Sequence, residues 1–99
     1  MLLMRVFEKK GERIVAVCDS ELIGKVFREG EVVLNLEKYA SFYQGEEADE
    51  EKVEKELRSA TSINLVGERA VGVAKKMKLV KESEVMRIQK IPHVQIYKI

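Results

Sequence analysis

The side chains in this sequence that could carry out chemistry are Glu68, His93 and Cys18. A histidine oriented by a carboxylate can act as a general base, and a cysteine thiolate can act as a nucleophile. The three residues lie far apart in the sequence. Each type also has a common structural role, as an ion-paired helix glutamate, a hydrogen-bonded strand histidine or an inert buried thiol. We therefore predict a protein without catalysis, and Glu68 with His93 form the site of the alternative hypothesis, a small enzyme.

Motifs for metal ions, nucleotides and nucleophilic catalysis are absent from the sequence. One histidine and one cysteine fall short of any usual metal-ligand set. The chain has no P-loop, no GxGxxG and no GxSxG. The sequence accordingly predicts neither a metal site nor a cofactor.

A further group of residues has the types expected of a binding surface, and it comes from three segments. They are Lys25, Phe27 and Arg28 in a predicted loop, Asn64, Gly67, Glu68 and Arg69 near the start of a predicted helix, and His93 and Gln95 on a predicted strand. A helix N-terminus presents free N–H groups that suit phosphate, and nearby lysines and aromatic rings can hold RNA by backbone contact and stacking. This pattern favours a binding module for RNA or for a ribonucleoprotein such as the translation machinery.

Two observations leave room for a protein partner instead. The chain lacks RRM, KH and zinc-knuckle signatures, and its isoelectric point of about 7.8 lies below that of a dedicated nucleic-acid binder. An adaptor would dock through its acidic helix, Asp49–Arg58, or through the aromatic loop, Glu37–Glu47, which contains Tyr39, Phe42 and Tyr43. Aromatic residues in a loop either cap the edge of a core or form a contact surface.

Charge is unevenly distributed along the chain, although the net charge is only +1. Residues 29–58 contain ten acidic and four basic residues, a net charge of −6. Residues 75–99 contain two acidic and seven basic residues, a net charge of +5. The basic segment could face RNA and the acidic segment a basic protein; alternatively, both are solvated surfaces that pair partly with each other.

The composition is that of a globular protein with a heavily ionised surface. Of its 99 residues 45% are apolar and 35% charged, and the length fits one domain spanning residues 1–99. The apolar run at the N-terminus is too brief for a signal peptide or a transmembrane span. Cys18 has no second cysteine with which to form an internal disulfide, in agreement with a reducing compartment. We predict a cytoplasmic protein without membrane association.

Two helices are predicted, and the rest of the chain is organised around the one that runs from Thr61 to Leu79. Apolar residues at three- and four-residue steps form one stripe of this helix: Ile63, Val66, Ala70, Val73, Ala74 and Met77. The other helix begins after the N-cap residue Asp49. Its apolar stripe is narrow, which places it at the edge of the core: Val53, Leu57 and Ala60.

Five segments have the pattern of strands: Leu2–Glu8, Arg13–Cys18, Glu31–Leu36, Glu84–Gln89 and Val94–Lys98. The first two form a hairpin with Gly11 in its turn, and the second is apolar on both faces, which predicts a central strand. A loop around Phe27, Arg28 and Glu29 precedes the third. Together the elements predict an α+β fold, a two-layer sandwich with a mainly antiparallel sheet of about five strands and two main helices packed on one face.

Four sequence segments together resemble a known family. They are, in this order, LIGKVFREGEVVLNL, FYQGEEAD, SATSINLVGERAVGVA and IPHVQI. In order and spacing they resemble the archaeal proteins of domain-of-unknown-function family 424, over nearly the whole chain. The matching positions are Gly24, Phe27, Arg28, Glu29, Gly30, Phe42, Tyr43, Gly45, Glu46, Ala60, Thr61, Asn64, Leu65, Val66, Gly67, Glu68, Ala70, Pro92, His93 and Gln95.

The resemblance implies a small two-layer α+β fold and an archaeal cytoplasmic setting. It implies no activity, because these proteins are uncharacterised. Lys78 departs from the pattern, since the family commonly has a glycine there at the end of the helix. The resemblance therefore leaves open where this helix ends.

Overall fold

The protein is built around a six-stranded mixed sheet, seen in a computed structural model that describes residues 1–98. The strands in this range are β1 (Leu2–Lys9), β2 (Glu12–Asp19), β3 (Val26–Glu29), β4 (Val32–Asn35), β5 (Glu46–Ala48), β6 (Ser62–Val66), β7 (Met86–Ile88) and β8 (Ile91–Tyr97). The α-helices are α1 (Ala40–Tyr43), α2 (Glu50–Ser59) and α3 (Glu68–Lys76). Single turns of 3₁₀ helix lie at Ser20–Leu22 and Glu82–Glu84.

The strand order of the main sheet is β5-β1-β2-β6-β8-β7, and β3 pairs with β4 in a separate hairpin. The β2–β6 pair is parallel, and every other pair of neighbours is antiparallel. The predicted α+β class with a mainly antiparallel sheet is confirmed. The main sheet has one strand more than the approximate number expected, and the hairpin adds two further strands.

Two apolar cores lie on opposite faces of the main sheet. On one face α2 and α3 pack against fully buried strand residues such as Val17 and Ile63. On the other face the β3–β4 hairpin and α1 cover Cys18 and Val66, which are also buried. Both long helices therefore share one face, as predicted. The hairpin and α1 cover only part of the opposite face.

The first hairpin and the acidic helix are confirmed. Lys10 and Gly11 have φ angles of 47° and 83°, the conformation that a two-residue turn requires between right-twisted strands. Asp49 caps α2 by accepting a hydrogen bond of 2.8 Å from the backbone N–H of Lys52. Within the described residues no helix is long and apolar enough to cross a membrane.

The predicted helix from Thr61 to Leu79 is wrong in its first part. Residues Ser62–Val66 form β6, and α3 begins only at Glu68. A short apolar run that is buried on both sides has no periodicity that separates a strand from a helix, and Ile63 and Val66 fitted the helical stripe by coincidence. The helical part of the stripe is confirmed, because Ala70, Val73 and Ala74 are buried.

Both ends of α3 depart from ordinary helical backbone. Gly67 precedes the helix with φ 110° and ψ 158°, a region that essentially only glycine occupies. Lys78, two residues after the helix, has φ 61°, the left-handed conformation common just beyond a helix C-terminus. A glycine would adopt the same conformation without strain.

The predicted loop around Phe27, Arg28 and Glu29 is wrong, since these residues belong to β3. Gly30, with φ 62°, lies in the turn that joins β3 to β4. The short strand lies outside the main sheet, and its exposed charged residues give it a composition typical of a loop. The final strands are confirmed with shifted boundaries, and Pro92 is the second residue of β8.

Candidate functional site

A cleft of about 710 Å³ lies where the second face of the sheet is left open. Strands β6 and β8 form its floor together with Ile14 of β2, and β4 and α1 form its wall. Its volume falls within the range of about 300 to 1,000 Å³ typical of small-molecule and cofactor sites. The cleft is thus the first place to look for function.

Strand register places two carboxamide side chains side by side on the floor. Asn64 of β6 pairs with Gln95 of β8, and both line the cleft. Residues directly opposite each other on antiparallel strands have Cβ atoms about 4.5 to 5.5 Å apart and point to the same face. On the other side of Asn64 lies Ala16 of β2, which is completely buried and lacks a large side chain. The two carboxamides therefore share the centre of the floor.

Tyrosine rings border the floor at two places. Tyr97, on the same face as Gln95, is 71% exposed, and its cross-strand partner is Ser62. Tyr39, before α1, is 55% exposed, and the ammonium of Lys38 lies 5.5 Å from its ring centroid. Exposed rings beside a polar floor provide surfaces on which a flat ligand can stack.

The lining carries little charge. Among the described residues, the cleft is lined by one cationic side chain, Lys98, and one anionic side chain, Glu12. The Lys98 ammonium donates hydrogen bonds to the carbonyls of Leu57 and Arg58 at the C-terminus of α2, where the helix dipole favours a cation. The centre of the cleft is consequently uncharged, with the two carboxamides set among apolar residues such as Ile14 and Leu34.

The segment Glu37–Glu47 is not a simple loop as predicted, since it contains α1 and the start of β5, and two of its aromatic residues support the core. Phe42 stacks on Phe7 with ring centroids 5.1 Å apart, and Tyr43 meets Phe42 edge to face at the same centroid distance. Burial raises the pKa of Tyr43 to about 12. Within Glu37–Glu47, Tyr39 is the most exposed aromatic residue, while Phe42 and Tyr43 are half-buried and also line the cleft. The interpretation of the loop as a cap on the core therefore holds for Phe42 and Tyr43.

The predicted binding residues separate into three places. Asn64 and Gln95 line the cleft, and His93 lies two residues before Gln95 on the same face of β8. Lys25, Phe27 and Arg28 lie in or next to β3, with Phe27 packed against the second core and the two cations exposed. The third group, Gly67, Glu68 and Arg69, surrounds the start of α3.

The N-terminus of α3 already holds an anion from within the chain. Asp19, the last residue of β2, accepts hydrogen bonds from the backbone N–H groups of Arg69 (3.1 Å) and Ala70 (2.9 Å). Its side chain is buried, at 4% exposure. Burial raises the pKa of this carboxyl, while the two backbone hydrogen bonds lower it by a smaller amount. These amides are therefore not available to a phosphate group.

Glu68 and His93 do not form a catalytic pair. The Glu68 carboxylate accepts a hydrogen bond of 2.8 Å from Arg87. His93 pairs with Val66 and lies on the sheet face covered by the hairpin, whereas α3 packs on the opposite face. Burial lowers the pKa of His93, and its Nε2 atom is buried without a hydrogen-bond partner in the described part of the chain. The imidazole is neutral at neutral pH, and no carboxylate within residues 1–98 makes a hydrogen bond with its Nε2 atom.

Ion pairs form both within the basic segment and between it and the acidic segment. Glu82 accepts hydrogen bonds from Lys75 (2.7 Å) and Arg87 (2.5 Å), which lower its pKa to about 2. Lys76 lies 3.9 Å from Glu54 and so connects the basic segment with the acidic one. The Lys76–Glu54 contact agrees with the interpretation that the two segments pair partly with each other.

The environment of Cys18 is that of an inert, buried thiol. It is fully buried, its Sγ donates a hydrogen bond of 3.3 Å to the carbonyl of Asp19, and burial raises its pKa to about 12. We expect negligible alkylation of the folded protein by iodoacetamide at about pH 8 and complete alkylation in denaturant, because the thiolate is the reacting species. Mass spectrometry of both samples measures this, and labelling of the native protein at the rate of a free thiol would contradict the assignment.

Comparisons with known proteins place the chain in a family. The family model described as "protein of unknown function (DUF424)" matches residues 7–99. The chain belongs to this family. The resemblance noted in the sequence is thereby confirmed. No group of three or more potential metal ligands occurs among residues 1–98.

A solved structure has the same fold. The crystal structure of an uncharacterized conserved protein from Methanopyrus kandleri is similar to this chain, with a TM-score of 0.81 and 26% sequence identity. The match covers 97% of this chain and 90% of the other. No curated protein matches the chain.

Sequence reasoning missed the residues that complete the cleft. Tyr97, Tyr39 and Ser62 were not among the predicted binding residues, although alternation along β8 places Tyr97 on the same face as Gln95. An aromatic residue that alternates with apolar residues near a strand end is a signal for an exposed ring. Tyr39 and Ser62 come from other elements, and only the packing of the hairpin and α1 brings them to the same cleft.

Proposed function

We propose that the protein is a non-catalytic binding module of the archaeal cytoplasm that holds an unpaired segment of RNA in the cleft. It would act as an accessory to RNA or to a ribonucleoprotein assembly such as the translation machinery. The observation that carries this proposal is the pair of exposed rings, Tyr39 and Tyr97, beside the carboxamides of Asn64 and Gln95. Proteins bind single-stranded nucleic acid by stacking its bases on such rings.

An exposed cation at the rim of the cleft supports the same proposal. Lys38 lies at the rim beside Tyr39. Lys25, Arg28 and Lys90 are exposed and make no ion pair within residues 1–98. Gln89, next to Lys90, donates a hydrogen bond of 2.6 Å to the carbonyl of Arg28, which brings β3 and the β7–β8 turn together. The Lys38 ammonium can meet a phosphate of a strand whose bases enter the cleft, whereas Lys25, Arg28 and Lys90 do not line the cleft.

The alternatives have less structural support. The enzyme hypothesis needs Glu68 beside His93, and these residues lie on opposite faces of the sheet. An adaptor that docks through the aromatic loop would use Phe42 and Tyr43, which are half-buried because Phe42 stacks on Phe7 and Tyr43 packs against the second core.

Replacement of a rim tyrosine should weaken RNA binding. Base stacking on an aromatic ring contributes about 1 to 3 kcal/mol per base, so we expect Tyr97→Ala to reduce affinity for a single-stranded oligoribonucleotide by about tenfold. Fluorescence anisotropy with labelled oligonucleotides of about eight residues and mixed sequence measures the change.

The matched control is Val32→Ala, since Val32 is half exposed on the β3–β4 hairpin but does not line the cleft. This variant should bind as the wild type does. Saturable binding that Tyr97→Ala leaves unchanged would place the RNA site elsewhere, and the absence of saturable RNA binding to the wild type would refute the proposal.

A further inference from the structure

The neutral floor of the cleft indicates which part of an RNA strand it receives. Cationic side chains supply most of the affinity for the charged phosphates, and the centre of the floor offers only uncharged carboxamides. The Lys98 ammonium at the margin is already bound to the carbonyls of Leu57 and Arg58. The amides at the start of α3 are occupied by Asp19. Charge complementarity thus selects the uncharged part of the strand, which is the base.

The carboxamides have free hydrogen-bonding capacity. Within residues 1–98 no hydrogen bond involves the side chain of Asn64 or of Gln95. Each offers an N–H₂ donor and a carbonyl acceptor, the combination that pairs with the donor and acceptor groups on the edge of a base. Two such groups side by side can contact one base edge, or two adjacent bases.

We propose that the cleft binds the base and not the phosphate backbone: an unpaired base stacks on Tyr97 or Tyr39 while Asn64 and Gln95 form hydrogen bonds with its edge. This inference rests on the function proposed above and adds the chemical group that is recognised. The phosphates then lie at the rim, where few cations contact them.

The decisive comparison uses two oligonucleotides of equal length and charge. One is a single-stranded RNA of about eight nucleotides, and the other is the same ribose-phosphate strand without bases. We expect the strand without bases to bind at least about tenfold more weakly, because stacking and edge contacts are both lost. For the intact strand we expect a plot of log affinity against log salt concentration with a slope smaller than about 2 in magnitude, since each phosphate contact adds about 0.7.

Two variants test the role of the carboxamides. Gln95 is exposed, so Gln95→Glu keeps the shape of the side chain, replaces the N–H₂ donor by an acceptor, and leaves the core untouched. We expect it to weaken binding of the intact strand by about fivefold or more, in line with the loss of one hydrogen bond. Gln95→Ala should weaken the intact strand similarly and leave the strand without bases unchanged, which separates the edge contact from charge repulsion.

The results separate this inference from the proposed function. If RNA binds saturably and Tyr97→Ala weakens it, but the strand without bases binds equally well, the function stands and base recognition is wrong. If both Gln95 variants bind the intact strand as the wild type does, the hydrogen-bonding role is wrong. If neither strand binds the wild-type protein, both the proposed function and this inference are wrong.

Discussion

Gly67→Ala should destabilise the protein by about 3 to 4 kcal/mol. This figure is the sum of two costs, one for a backbone conformation that alanine rarely adopts and one for a steric overlap. Gly67 has φ 110° and ψ 158°, where a Cβ atom is not tolerated. A Cβ built there would lie 2.3 Å from the carboxyl carbon of Asp19. The substitution therefore also displaces the group that caps α3. Urea denaturation followed by circular dichroism measures the change in the free energy of unfolding.

Gly72→Ala is the matched control for this prediction. Gly72 lies within α3, and a Cβ added to it would meet no atom within 4 Å. We expect it to stabilise the protein by about 0.5 to 1 kcal/mol, because alanine loses less backbone entropy in a helix. A Gly67→Ala variant as stable as the wild type would show that the backbone at this position accepts a side chain.

Asp19→Ala is expected to destabilise the protein by about 2 kcal/mol. The carboxyl group satisfies the N–H groups of Arg69 and Ala70, and its removal leaves the Ala70 N–H buried without a partner. The substitution also removes the cost of burying the Asp19 carboxylate charge, which offsets part of this loss. The net decrease in the free energy of unfolding is therefore smaller than the contribution of two charge-assisted hydrogen bonds. Urea denaturation at neutral pH measures it, and a stability equal to that of the wild type would contradict the capping role.

The substitutions at Asp19 and Gly67 should not be additive. Removal of the carboxyl group also removes the atoms that a Cβ on residue 67 would strike. In the Asp19→Ala background we therefore expect Gly67→Ala to cost about 1 to 2 kcal/mol less than in the wild type, with backbone strain accounting for the remainder. A double-mutant cycle measures this coupling, and strict additivity would mean that the two residues do not interact.

The pH dependence of stability reports the state of the same carboxyl group. Because its pKa is raised in the folded state above the ordinary value of 3.8, the folded protein binds this proton more tightly than the unfolded chain does. Asp19 therefore contributes stability that is fully present below pH 3.8 and is lost as the pH rises through the raised pKa. Relative to Asp19→Asn, which has no such titration, the wild type should lose stability over this window. A difference that rises with pH would contradict a raised pKa.

The sequence was sufficient for elements whose signals are local. The turn at Gly11 and the capping residue Asp49 each depend on neighbours within a few positions, and both were predicted correctly. The segment Ser62–Val66 was assigned to the wrong element, since burial on both faces leaves an apolar run without a distinguishing period. The β3 strand was missed because exposed charged residues hid its pairing with β4.

The candidate site was predictable only in part for the same reason. Asn64 and Gln95 were chosen separately from the sequence, and the β6–β8 register shows that they are neighbours. Glu68 and His93 were proposed as a pair, and the sheet separates them onto opposite faces. Alternation along one strand fixes which residues share its face, but not which strand lies beside it.

The sequence by itself determined the α+β class, the hairpin at the N-terminus and the acidic helix. Those features follow from backbone conformation and periodicity, which act between residues close in the chain. The tertiary structure decided that Asp19 caps α3 and that two tyrosines and two carboxamides meet in one cleft. Contacts between distant segments depend on strand order and on which layer covers each face, and these are fixed only when the whole chain packs.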